Sequence, residues 1–150
     1  MATNEETLRQ LVVELRLLEG TANTLQSRLN FVNAILTELN YAKMTLEGLE
    51  KEKKNVPLLV PIGGGSYIRA KLGSAEKVIV GMGAGVSVEK SMSEAKETVG
   101  TRISQLAKTR GSLQQQFTQV AQKIEEDRAR FQELSERLGE AERRRNVRKT

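Results

Sequence analysis

The residues best suited to ligand chemistry are the glycines of the stretch VIVGMGAGVSVEK, which runs from position 78 to 90. An apolar run, a glycine-rich turn and a charged segment that can open a helix follow one another in the order of a nucleotide-binding loop. A dinucleotide fingerprint needs G-x-G-x-x-G, whereas Gly81, Gly83 and Gly85 give G-x-G-x-G with Val at position 86. Neither glycine cluster ends in the G-K-[ST] of a P-loop. The glycines are more simply explained as hairpin residues, and we predict no nucleotide or other cofactor.

The other groups that commonly perform catalysis or hold metals are scarce. The chain has no His and no Cys, so it lacks the commonest general base, the commonest metal ligand and thiolate chemistry. Acid pairs such as Glu5–Glu6 and Glu125–Glu126 are flanked by charge on predicted helices and read as solvated faces. We therefore predict no catalytic residue, no metal site and no enzymatic activity.

Composition favours an elongated protein over a compact globular one. The 150 residues include only two Tyr, three Phe and no Trp, and 29% of them are charged. Such a chain can bury only a modest core and suits a long, thin shape with one apolar stripe. The N-terminus has no signal-peptide core, and no apolar run approaches the roughly 18 residues of a membrane helix. We expect a soluble, cytoplasmic protein that does not contact membranes.

Residues 4–54 have the pattern of a coiled-coil helix. Apolar residues recur at alternating steps of three and four over more than four heptads. The seam positions are Leu8, Leu11, Leu15, Leu18, Ala22, Leu25, Leu29, Val32, Leu36 and Leu39. Thr3 and Glu6 have capping-box spacing, and Pro57 limits the other end because the residue before proline avoids the helical region.

The apolar pattern of residues 88–142 predicts a second coiled-coil helix. Its seam positions are Ile103, Leu106, Arg110, Leu113, Phe117, Val120, Ile124, Asp127, Phe131, Leu134, Leu138 and Ala141. Arg110 and Asp127 are the two polar exceptions, and a polar seam residue can fix the register or the partner. The alternative is that Arg110 extends to water and that Asp127 lies where the coil has splayed.

The basic residues at the C-terminus account for the net charge of +5. Five of the 24 Lys and Arg residues lie in 143–150, so the remaining 19 balance the 19 acidic residues. This basic tail can contact phosphate or an acidic partner, or it can be a frayed helix end whose cations suit the helix dipole. We favour the second interpretation and predict no nucleic-acid binding, because no aromatics are interleaved for base stacking.

The composition and pattern of residues 56–87 predict two consecutive β-hairpins. Charge falls here, while glycine and β-branched residues become more frequent, and short apolar runs flank Gly63–Gly65 and Gly83–Gly85. With two helices of nearly equal length, this gives an α+β fold. We expect one long antiparallel coiled-coil hairpin with the two β-hairpins at its base.

Two apolar surfaces are left over by this arrangement. Hairpin edges are normally paired or covered, so we predict oligomerisation through strand residues. The predicted interface residues are Val60, Ile62, Ile68, Val78, Ile79, Val80 and Met82. At the other end of the coil, Val12, Val13 and Leu17 lie off the seam, which indicates either a surface that a partner covers or a slightly wider helix–helix contact.

The order of coil, two β-hairpins and coil resembles the alpha subunit of prefoldin in its archaeal form. The specific part lies in 56–90, with VPIGGGSYIRAKL, KVIVGMGAGVSVEK and the Val-Glu-Lys exit at Val88–Lys90. Two hairpins rather than one favour the alpha type. The family often has aromatic residues just before that exit, where this chain has Val86 and Ser87.

The resemblance implies an ATP-independent chaperone. It implies a hetero-hexamer of two alpha and four beta prefoldin subunits, whose hairpins join into an oligomeric β-barrel. The coil tips would hold unfolded polypeptides and pass them to a group II chaperonin. Carried onto this chain, client contact falls on Leu8, Leu11, Val12, Val13, Leu17, Phe131, Leu134 and Leu138. The main alternative is a structural coiled-coil adapter that binds one folded partner.

Overall fold

The first element is a long helix, α1, from Asn4 to Glu50, in a computed structural model that describes residues 3–149. The predicted capping box opens the helix: the Thr3 amide donates to Glu6 Oε2 at 2.9 Å, and the Glu6 amide donates to Thr3 Oγ1 at 3.2 Å. The structure confirms the predicted seam of α1: every one of its positions is buried or half-buried. The fully buried members are Leu11, Leu25, Leu29, Val32 and Leu36, and they are followed on the shifted phase by Leu46.

Helix α1 ends at Glu50 rather than at 54. The chain turns at 51–55, where the Glu52 amide donates to the Leu49 carbonyl at 3.1 Å. Asn55 then takes a left-handed conformation, with φ of 69°, and its amide donates to the Leu72 carbonyl at 2.6 Å. Asparagine tolerates this conformation better than most residues. The helix therefore ends earlier than the proline alone predicts, and the turn that follows it is joined to the hairpin region at Asn55.

The middle of the chain forms two separate antiparallel hairpins. The first joins β1, Pro57–Gly63, to β2, Ser66–Lys71. The second joins β3, Lys77–Gly83, to β4, Val86–Ser91. The strands of the two hairpins do not pair with one another. The second hairpin thus extends to residue 91, beyond the expected 87, because residues 88–91 pair with β3 instead of opening the helix.

The two hairpins are an internal repeat at an offset of 20 positions. Each has a register shift just before its turn, between Pro61 and Gly63 in the first and between Gly81 and Gly83 in the second. Gly63 and Gly83 have φ of 103° and 98°, values that only glycine adopts without strain. The glycines of the opening stretch therefore serve tight turns.

The second helix, α2, runs from Met92 to Val147. Ser91 and Glu94 form its capping box, with both reciprocal bonds at 3.2 Å. The helix includes most of the expected basic tail, because Arg144 and Arg145 lie in its last turn, where cations are favourable against the helix dipole. No helix among residues 3–149 is long and apolar enough to cross a membrane.

The chain divides into two compact units. The terminal unit comprises residues 3–32 and 109–149, and the hairpin unit comprises residues 33–108. In the terminal unit the first part of α1 meets the last part of α2, as the 3.0 Å ion pair between Glu19 and Arg128 shows. In the hairpin unit the end of α1 meets the start of α2 through a 2.6 Å ion pair between Glu50 and Lys96. Together with the hairpins, these helices confirm the α+β fold.

The core of the hairpin unit fixes the second hairpin against both helices. Five buried side chains form it: Leu46, Val80, Met92, Ala95 and Val99. Arg102 adds a polar clamp, since its Nη1 donates to the Gly81 carbonyl at 2.6 Å and its Nη2 lies 3.4 Å from Met82 Sδ. The strand β3 is therefore held on α2 both by apolar burial and at its register shift.

Candidate interaction surfaces

The predicted client-binding residues all lie in the terminal unit, and they differ in exposure. Val12, Val13 and Leu17 are exposed, with Leu17 at 68%. Leu8, Phe131, Leu134 and Leu138 are half-buried on the seam. Leu11 is only 3% exposed, so it is a core residue, and its inclusion among surface contacts is corrected. The off-seam residues are thus the part of this set that a partner can reach directly.

Asp127 has a buried carboxylate on the seam of the terminal unit. It is 2% exposed, which rules out the interpretation that it lies in a splayed part of the coil. Lys123 Nζ donates to Asp127 Oδ1 at 2.9 Å and lies 3.7 Å from Glu14 Oε1, so the lysine bridges the two helices. Asp127 Oδ2 is buried without a hydrogen-bond partner. Arg110, the other polar seam residue, is exposed, which favours the alternative that its side chain extends to water.

Two lysines have pKa values raised above the ordinary 10.5. The pKa of Lys123 is raised mainly by its hydrogen bond to Asp127, with further attraction from Asp127, Glu14 and Glu126. The pKa of Lys96 is raised mainly by its hydrogen bond to Glu50. Each raised value marks an ion pair that favours the folded, charged lysine.

The predicted hairpin interface is largely exposed, with one exception and one partial exception. Ile62, Ile68 and Ile79 are exposed, with Ile79 at 76%, and Val60 and Met82 are exposed to a smaller degree. Val78 is half-buried, and Val80 is buried in the hairpin-unit core. The assignment of Val80 to an oligomer interface is corrected, because α2 of the same chain already covers it.

Several exposed apolar residues were missed by the sequence prediction. On the hairpins they are Leu59, Tyr67, Val86 and Val88, and on α1 they are Phe31, Tyr41 and Met44. Strict alternation along the strands would have found the first group, since Leu59 and Tyr67 lie on the strand face opposite to Val60 and Ile68. The exposure of the second group could have been predicted, because its members are large apolar residues that lie off the seam.

Among residues 3–149, no group of three or more acidic side chains could hold a metal ion. The C-terminal part of α2 forms a shallow, arginine-rich concavity. Its lining residues are Arg137, Glu140, Ala141, Arg143, Arg144, Arg145, Val147 and Arg148. Of these arginines, Arg144 and Arg145 lie in the last turn of α2, where cations are favourable against the helix dipole.

Comparison with known proteins points to one family. The sequence model of the prefoldin family, described as "Prefoldin subunit", matches residues 18–137. The chain is 32% identical to the prefoldin subunit alpha of Methanococcoides burtonii over 81% of this chain and 88% of that one. It is 36% identical to prefoldin subunit alpha 1 of Thermococcus kodakarensis over 69% of this chain and 70% of the other.

A solved structure agrees with these sequence matches. The chain is similar to a filamentous PFD from Methanocaldococcus jannaschii, determined by cryo-electron microscopy, with a TM-score of 0.64 and 25% identity. The match covers 77% of this chain and 95% of the other.

Proposed function

Because this chain belongs to the prefoldin subunit alpha family, we propose that it holds unfolded polypeptides without ATP and delivers them to a group II chaperonin. Prefoldin subunits are non-enzymatic components of a chaperone, and the chain is therefore not an enzyme. We also infer a cytoplasmic location.

The observation that carries the client site is the exposure of Val12, Val13 and Leu17 beside a seam that is already closed. Leu11 and Leu25 are buried, so the coil does not need these three residues to hold its helices together. Burial of one such side chain contributes about 1.5–3 kcal/mol of favourable free energy, so these residues favour binding of an apolar partner. Half-buried Leu8, Phe131, Leu134 and Leu138 complete the proposed surface.

The proposed assembly is two copies of this chain with four beta-type subunits. Its support is the set of exposed strand residues Val60, Ile62, Ile68, Ile79 and Met82, with Val78 half-buried beside them. Two-stranded hairpins are marginal alone, and these open edges are satisfied when strands of several subunits join into a barrel.

The test is suppression of client aggregation by the complex that this chain forms in its own cells. We expect the complex to keep a denatured client soluble, to do so equally with and without ATP, and to transfer it when chaperonin is added. The double variant Val13→Ser/Leu17→Ser should lower client affinity on the order of tenfold or more. The matched control is Met44→Ser, at a comparably exposed site in the hairpin unit.

The adapter alternative gives a different result in the same assay. An adapter loses one folded partner in the Val13→Ser/Leu17→Ser variant, while aggregation protection stays unchanged or is absent from the start. Failure of the intact complex to protect any denatured client contradicts the chaperone proposal.

A further inference from the structure

A groove runs between α1 and α2 along one side of the terminal unit. Two open concavities form it, of about 630 Å³ and 470 Å³, and they meet at Thr24 and Arg28, which line both. The main wall residues on α1 are Leu17, Thr21, Thr24, Arg28 and Phe31. Those on α2 are Thr109, Leu113, Gln116 and Val120.

The length of the groove suits a third helix. Each wall is one face of its helix, because the named wall residues recur at steps of three and four on both α1 and α2. The groove therefore follows the helices over several turns and does not cross them. From Leu17 to Phe31 the groove is about 21 Å long at 1.5 Å per residue, which accommodates roughly four turns of helix.

The groove surface is suited to apolar contact. Leu17 and Phe31 are each 68% exposed. Between them, Thr21 Oγ1 donates to the Leu17 carbonyl at 3.0 Å, and Thr24 Oγ1 donates to the Gly20 carbonyl at 3.1 Å. Because backbone carbonyls of α1 already accept hydrogen bonds from both hydroxyl groups, a bound helix does not have to supply acceptors for them.

The charge on the groove has one sign. Arg28 lines both concavities and Arg16 lines one, whereas no carboxylate lines either. Within residues 3–149, no Asp or Glu forms an ion pair with either arginine. A bound helix therefore meets apolar side chains towards the two ends of the groove, at Leu17 and Phe31, and uncompensated positive charge at Arg28, where the two concavities meet.

We propose that this groove binds amphipathic helices with an acidic polar face, presented by partly structured client polypeptides. The inference rests on the proposed chaperone function and specifies a class of client. The mode is a helix laid in a groove, with apolar anchors at Leu17 and Phe31 and a carboxylate against Arg28.

The test uses two labelled helical peptides of 18 residues, a third peptide in which proline breaks the helix, and the intact complex. Both helical peptides carry Leu at alternating steps of three and four, and they differ only in having Glu or Lys along the polar flank. Binding is measured by fluorescence anisotropy. We expect the Glu-flanked peptide to bind on the order of tenfold more tightly, and a proline-broken Glu peptide to lose this advantage.

Three substitutions at two positions assign the preference to the groove. Arg28→Glu should reverse the order of the two peptides, and Arg28→Gln should make them nearly equal. Phe31→Ala should weaken both on the order of tenfold. The matched controls are Arg130→Glu, an exposed charge reversal on α2 away from the groove, and Tyr41→Ala, an aromatic residue 66% exposed on α1. Neither control should change the order or the affinities.

Distinct results overturn the inference. Equal binding of the two peptides, tighter binding of the Lys peptide, or an unchanged order in Arg28→Glu each contradicts it. A change in subunit number of the Arg28→Glu complex by native mass spectrometry also contradicts it, because the groove is then covered by another subunit. Aggregation protection is measured in parallel. If the complex protects the client but the peptides show no preference that depends on Arg28, only this inference fails. If the complex does not protect the client, the proposed function fails as well.

Discussion

At the residue scale, Asp127 is the least expected feature of the terminal unit. A buried carboxylate with one satisfied oxygen costs desolvation that its single lysine partner offsets only in part. Lys123 connects this carboxylate to Glu14 on the other helix, so the pair is also a local link across the coil. This stretch of α2 is therefore joined to α1 by polar contacts. An apolar residue at the same seam position would give a more stable helix–helix contact.

Replacement of Asp127 by leucine should stabilise the terminal unit. The substitution removes a buried carboxylate that has an unsatisfied oxygen, and its partner Lys123 is 46% exposed, so the lysine is solvated by water when the pair is lost. Hydrogen exchange of residues 120–134 should slow in Asp127→Leu. It should quicken in Lys123→Met, which leaves the carboxylate alone. Faster exchange in Asp127→Leu contradicts this account.

The Lys123 ion pair also predicts a dependence on alkaline pH. The folded pKa of Lys123 lies above the ordinary 10.5, so its contribution to stability is complete below that pH and is lost as pH rises through the folded pKa. Thermal unfolding, followed by circular dichroism below and above pH 10.5, should show a larger loss for the natural chain than for Asp127→Asn. Equal losses in the two proteins would show that the pair does not contribute.

At the element scale, the two hairpins show how one sequence pattern leads to two environments. Val60 pairs with Ile68 in the first hairpin, and Val80 occupies the equivalent place opposite Val88 in the second. Val60 is exposed, whereas Val80 packs on Met92 and Ala95. The difference arises outside the strands, because only the second hairpin continues directly into α2.

Arg102→Ala should loosen the second hairpin and leave the first unchanged. The side chain donates to the Gly81 carbonyl at the register shift, so its removal leaves that carbonyl without its contact to α2. We expect faster amide exchange in residues 81–88 by mass spectrometry. Residues 61–68 of the first hairpin, which Arg102 does not contact, are the internal control. Equal changes in both hairpins would contradict a local clamp.

The elements were predictable because their signals are local and periodic. The seam of α1, its capping box and the two glycine turns depend on residues close in sequence, and the structure confirms each of them. The fates of Val80 and Asp127 depend on contacts with distant residues. Alternation along a strand indicates which residues share a face, but not whether a helix of the same chain covers that face.

At the scale of the whole molecule, the two units carry different apolar surfaces. The hairpin unit exposes strand residues such as Ile62 and Ile79, and the terminal unit exposes helix residues such as Val13 and Leu17. We propose that the first surface serves assembly and that the second binds the client. The two assignments are separable, because substitutions in one unit should leave the other process intact.

Ile79→Lys should disrupt assembly. This side chain is 76% exposed on an open hairpin, and burial of a charge inside a barrel of strands is costly. Native mass spectrometry should show two copies of the natural chain with four smaller subunits, and dissociated subunits for Ile79→Lys. The matched control Leu17→Lys should keep the full complex. Loss of the complex in the control would show that the terminal unit also contributes to assembly.

The most direct test of the account is photo-crosslinking of a denatured client to the assembled complex in the absence of ATP. A benzophenone side chain is placed at Leu17 in one variant and at Met44 in another, since both positions are exposed on α1 but lie in different units. We predict strong client crosslinks from position 17 and few from position 44. Equal crosslinking at both positions, or none at 17, would contradict the assignment of client binding to the terminal unit.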